Sequence, residues 1–203
     1  MTAAARVEPW QADEGDLEAR KSSSGPGDTA RGMFFLGVLG VVRAQAGAEA
    51  ERQCRRVCAE TRYVPFFMYP IRGFLELAFV AARLLSSPDE GIDGAMHRLG
   101  AQATADFLDS AVGRSFLMIV GGDPRHLLTC LQAGYRTVVS YGERRVVWSG
   151  LRRGNLVMQR DFMPASYHVG VLTAVLQHVG ARNVQVKGRQ TGLLDSAYEL
   201  TWS

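Results

Sequence analysis

The side chains in this sequence best suited to hold a metal or move a proton are four histidines and three cysteines. Cys54 and Cys58 are four residues apart, so on a helix they share a face. A thiolate metal site needs further ligands close by, and no Cys or His cluster flanks the pair. Packed thiols account for them, and Cys130 stands alone in an apolar helical stretch. The histidines are dispersed. His97 lies at the edge of a Met96/Leu99 stripe, and His126 follows Asp123 within one turn. His178 falls in a last helical turn, where the helix dipole favours a cation. His168 shares a stripe with Leu172, Val175 and Val179, which turns it inward. A ligand or proton-transfer role for any of them needs a pocket. No catalytic or metal-ligating set emerges from spacing alone.

The standard motifs of catalysis are absent. There is no phosphate loop, no dinucleotide fingerprint, no His pair four apart with a Glu, and no Ser between glycines. Gly121-Gly122-Asp123-Pro124 precedes a helix, but Asp123 fills the N-terminal position as a cap. An enzyme would have to work through an unrecognised site; Glu76, Asp106 and Asp109 are the acids on or near helices that could serve it. Arg144-Arg145 and Arg152-Arg153 flank Trp148 and could stack bases, yet the net charge is only +3, which argues against nucleic acid. No apolar run reaches the length of a membrane span and no secretory leader is seen, so a cytoplasmic protein is expected.

The elements that must position these residues follow from the patterning. The chain has 203 residues and is 47% hydrophobic, enough for one domain with a sizeable core. Residues 1–30 carry six acids and three bases around a Ser22–Gly27 break, which predicts a disordered acidic tail in which Trp10 stands alone. Residues 31–203 are expected to form a single α+β domain. Gly32–Ala46 reads as a helix or a buried strand and Ala48–Thr61 as a helix. Ile71–Leu85 is apolar on nearly every face, which suits a central helix or a subunit interface. Ser87-Pro88-Asp89-Glu90 and Asp123-Pro124 each predict a helix start. Thr137–Tyr141 and Arg144–Trp148 form a hairpin candidate around Gly142-Glu143. Asn155–Phe162, Val184–Lys187 and Tyr198–Trp202 alternate like half-buried strands, and Tyr167–Val179 is helical with Gly180 as its stop. The fold class is therefore N-terminal helices packed on a C-terminal antiparallel sheet, with one helix inserted before the last two strands.

Gly32-Met33-Phe34-Phe35, Phe67-Met68-Tyr69-Pro70-Ile71, Ala95-x-x-x-Leu99-Gly100, the helix end at Gly113 and the closing Tyr198-x-Leu-x-Trp202 carry a resemblance. Over residues 31–203 they resemble a paralogous family of uncharacterised proteins restricted to myxobacteria. That family is similar, more remotely, to a ligand-binding superfamily. Its members include heme-type nitric-oxide sensors, vinyl-reductase-like domains and TRAPP vesicle-tethering subunits. The resemblance implies an apolar cavity between helices and sheet, with Phe74, Phe79, Met96, Phe107, Trp148, His168 and Leu172 as its candidate lining, and subunits paired through helices. The Tyr-x-Ser-x-Arg signature of the heme sensors does not occur here, and the metal-binding cysteines of the vinyl-reductase-like domains have no convincing counterpart.

Two functional expectations follow. The first is a non-catalytic module, signalling or regulatory, that binds a small apolar molecule or another protein, without a cofactor. It would form a homodimer through Ile71–Leu85. The alternative is a sensor holding heme or another cofactor through His97 or His168.

Overall fold

The computed structural model describes residues 14–203. Helix α1 (Glu14–Ser22) leads to strand β1 (Thr29–Arg31) and the long α2 (Gly32–Arg56). Strand β2 (Met68–Pro70) precedes α3 (Ile71–Leu85), and α4 (Gly91–Asp109), α5 (Ala111–Val120) and α6 (Pro124–Arg136) follow. Then come β3 (Glu143–Gly150), β4 (Arg153–Gln159), α7 (Ala165–His178), β5 (Gln185–Gln190) and β6 (Ser196–Thr201). The last four strands form one antiparallel sheet in the order β3-β4-β6-β5, and β1 pairs with β2 in a small ribbon. The α+β arrangement expected from the sequence is the one observed, with α7 inserted ahead of the last two strands.

The apolar pattern of α3 is explained by its place. Ile71, Leu75, Leu77, Ala78, Ala81 and Ala82 are wholly buried between α2, α4 and α1. This burial matches a central helix, its apolar side chains covered within one chain. Period-2 alternation delivers the sheet's inner face: Leu156 and Met158 of β4 and Tyr198 and Leu200 of β6 are buried, and Leu156 faces Tyr198 in register. The Asp123 carboxylate caps α6 by accepting from the Arg125 and His126 amides. Gly180 ends α7 in the left-handed region at φ 85°.

Four expectations give way. Residues 14–30 are ordered: Leu17 and Arg20 are buried, and the Arg20 guanidinium donates to the Phe162 carbonyl. The rest of the expected tail, with Trp10, lies outside the described residues. Thr137–Tyr141 is not a hairpin arm. Thr137 closes α6 by donating from its hydroxyl to the Gly134 carbonyl, and Val139 makes a lone bridge to Ala30. The hairpin is instead β3 with β4. Ser87–Glu90 is a turn, and α4 begins at Gly91, whose φ of 60° keeps the helix from starting earlier. Finally, α2 at 25 residues is long and apolar enough, by length and composition, to cross a membrane. Gly47 breaks it at φ 85°, and its Phe35, Leu39 and Val42 are buried in the core.

Two hydrophobic clusters result. One is built from the N-terminal helices; the other joins α6 and α7 to the sheet. Tyr135 packs against both.

Candidate functional site

Where the clusters meet, the helices do not close completely. A cavity of about 80 Å³ lies there, its wall drawn from β1, the helices α2 to α7, and the α6–β3 and β4–α7 connections. Phe34, Phe74, Phe107, Tyr135, Tyr141 and Tyr167 give it an aromatic wall, with His168 among them. Of the residues proposed from the sequence, Phe74, Phe107 and His168 line it. Phe79, Met96 and Leu172 are buried in ordinary core packing outside its wall. Trp148 lies on the sheet, with the Arg125 guanidinium 4.2 Å above its ring, and His97 is half-buried on α4; neither reaches the cavity.

His168 anchors a buried polar chain behind that wall. Its Nε2 lies 2.8 Å from Asp161 Oδ1 and its Nδ1 lies 2.9 Å from the Tyr135 hydroxyl. A carboxylate only accepts, so Nε2 carries a proton and donates to it. In the neutral ring Nδ1 then accepts from Tyr135. Asp161 also pairs with Arg144 and accepts from the Met163 amide at 3.1 Å. Arg144 donates to the carbonyls of Tyr141, at 2.6 Å, and Gly142, at 3.0 Å, and its guanidinium stacks 4.2 Å over the Tyr135 ring. Arg144, Asp161 and His168 are almost wholly shielded from solvent. Burial alone would raise the Asp161 carboxyl, but His168, Arg144 and the Met163 amide outweigh it and hold it well below the usual carboxylate range. Burial, reinforced by the Asp161 charge, pushes Tyr135 and Tyr141 above the ordinary tyrosine value; burial does the same at Tyr167, with Tyr135 and Asp161 adding to it.

Backbone geometry places these groups. Asp161 follows Arg160, whose positive φ of 53° turns the chain off β4 toward α7. Arg144 stands at the start of β3, and its amide donates to the Gln132 side chain of α6. α7 presents Tyr167 and His168 to the cavity because it crosses α4 at backbone contact distance. A Cβ on Gly100 would come 1.9 Å from the Tyr167 carbonyl, and one on Gly170 would come 1.9 Å from the His97 carbonyl.

The inward stripe of α7 made His168 legible in sequence. Tyr135, Tyr141, Tyr167, Asp161 and Arg144 were missed. The one signal was an isolated acid, Asp161, between buried strand residues and an apolar helix start.

A second, open groove of about 660 Å³ runs between α2 and α4 past Gly37, Gly40, Gln102 and Asp106. Asp106 accepts from Gln102 at 2.8 Å, Glu76 is paired with Lys21 at 2.5 Å, and Asp109 is exposed, so the three acids do not converge. Among the described residues no three His, Cys, Asp or Glu side chains form a metal-binding group.

The fold is that of H-NOX proteins. The Fe(II) unliganded H-NOX protein from K. algicida superimposes with a TM-score of 0.69 at 12% identity, over 85% of this chain and 96% of that one. An H-NOX protein from S. oneidensis in the Fe(II)NO ligation state gives 0.67 at 15%, over 85% and 99%. The IWP-051-bound H-NOX from Shewanella woodyi gives 0.62 at 16%, over 85% and 94%. Nothing matches among the curated proteins. Residues 24–203 match the model of the family described as protein of unknown function (DUF2378), and the chain belongs to that family.

Proposed function

We propose that this chain is a non-catalytic sensor or regulatory domain that binds a small apolar molecule in the cavity between its two cores, without heme. The carrying observation is the cavity itself, an aromatic space where the two hydrophobic clusters meet in an H-NOX-like fold. Its position suits signalling, because a ligand there touches six helices at once and can bias how the two clusters sit together.

The residues do not fit a heme. Both ring nitrogens of His168 are engaged, by Asp161 and Tyr135, so neither is free for iron. His97 stands outside the wall. A volume of about 80 Å³ holds on the order of half a dozen water-sized groups, far short of a porphyrin. Arg144, the buried cation stacked on Tyr135 of the wall, is already committed to Asp161 and two carbonyls.

Native mass spectrometry of the full chain, set against its denatured mass, tests the reading. The expected result is extra small-molecule mass in the native spectrum, lost in Ala103→Leu, which fills the cavity wall. Hemin added to the purified chain should give no ligated Soret band. A stoichiometric Soret band that disappears in His97→Ala or His168→Ala would overturn the heme-free reading.

A further inference from the structure

Two hydroxyls in the cavity wall lack a protein partner. Tyr141 and Tyr167 are 7% and 5% exposed and both line the cavity, yet neither phenol oxygen bonds to a described residue. The third, Tyr135, is held by His168. The Thr104 hydroxyl is turned to the Gly100 and Val171 carbonyls. Neither oxygen is fully sealed, so each keeps surface that a hydrogen-bonding group can reach. Two such hydroxyls on one small apolar space point to a group that enters it.

We propose that the cavity takes a compact, uncharged ligand bearing a hydrogen-bond acceptor such as a carbonyl oxygen, received by the Tyr141 and Tyr167 hydroxyls. This rests on the ligand-cavity reading above and names the chemistry of that site. A phenol is a better donor than acceptor, and burial keeps both of these protonated. No carboxylate, ammonium or guanidinium stands in the wall. An anion would be stripped of water beside the Asp161 charge, and a cation would find no counter-ion there. The rest of the wall is ring faces and aliphatic groups, so the remainder of the ligand is apolar.

Three probes of nearly one shape, each small enough for a cavity of about 80 Å³, separate the possibilities: isobutene, acetone and acetate, titrated calorimetrically into the full chain. Acetone is expected to bind about fivefold tighter than isobutene, the worth of one net neutral hydrogen bond. Acetate should not bind detectably. In the Tyr141→Phe/Tyr167→Phe double variant the acetone-to-isobutene ratio should collapse to about one, with thermal melting used to verify that the variant folds. Equal affinities for acetone and isobutene in the unaltered chain, a ratio that survives the double variant, or tighter binding of acetate would each overturn the acceptor proposal while leaving the cavity reading standing. No binding of any probe would overturn both.

Discussion

At the residue scale the molecule keeps two opposite charges in its core, and the reason they stay charged is each other. Asp161 receives Arg144, the His168 imidazole and the Met163 amide, so its carboxylate is satisfied without water. Asp161→Ala removes all three contacts and leaves Arg144 buried without its anion. Urea unfolding at neutral pH should show a loss of about 3–5 kcal/mol. The pH dependence has a definite sign. The folded-state carboxyl titrates below the unfolded one, which lies near 3.9. The stability this gives is present above about pH 4 and is lost as the pH falls toward the lower folded value. Asp28, held down by its bond from Arg160, and Glu51, by its bond from Arg55, share that sign. The difference between the unaltered chain and Asp161→Asn isolates the buried pair. The variant's stability should fall less steeply below pH 4, and parallel acid limbs would show that the pair contributes nothing to the dependence.

At the element scale the least expected component is α1. Its sequence is polar and short, yet Leu17 and Arg20 are buried and Asp28, beyond its end, holds Arg160 in a two-pronged ion pair at 2.7 and 2.8 Å. Deleting residues 1–23 should lower unfolding stability by about 2–4 kcal/mol, from the apolar area of Leu17 and the buried bond of Arg20. An unchanged melting temperature would mean that α1 rests on the body without holding it. The sequence signals that succeeded here are local ones. The Asp123 cap and the alternation of Tyr198 and Leu200 depend on neighbours a few residues away. The contact that orders α1 runs from Arg20 to a carbonyl 142 residues later, and no local pattern encodes it. The same holds in the site. His168 lies on an apolar stripe, whereas Tyr135 and Arg144 are defined by partners 33 and 17 residues away, and single polar side chains leave no periodicity.

At the scale of the whole molecule, the crossing of α4 and α7 sets how the two cores meet and how wide the cavity between them is. Gly100 lies under the Tyr167 backbone and Gly170 under that of His97, so the two contacts are reciprocal faces of one close approach. In each case the obstruction is a carbonyl, and a backbone cannot turn aside as a flexible side chain can. Gly100→Ala or Gly170→Ala must therefore push the helices apart, which costs about 1–3 kcal/mol for overpacking. The two costs should not add. Once one methyl has separated the helices, the second enters space already opened, so the double variant should unfold at a stability well above that expected from summing the singles. A urea-denaturation cycle of the four proteins measures the coupling. The separated helices also draw Tyr167 and His168 outward, so the same variants should bind larger probes than the unaltered chain does. Fully additive losses with unchanged ligand size would instead mean that each glycine answers to a local contact, and that the width of the cavity is set by the aromatic side chains alone.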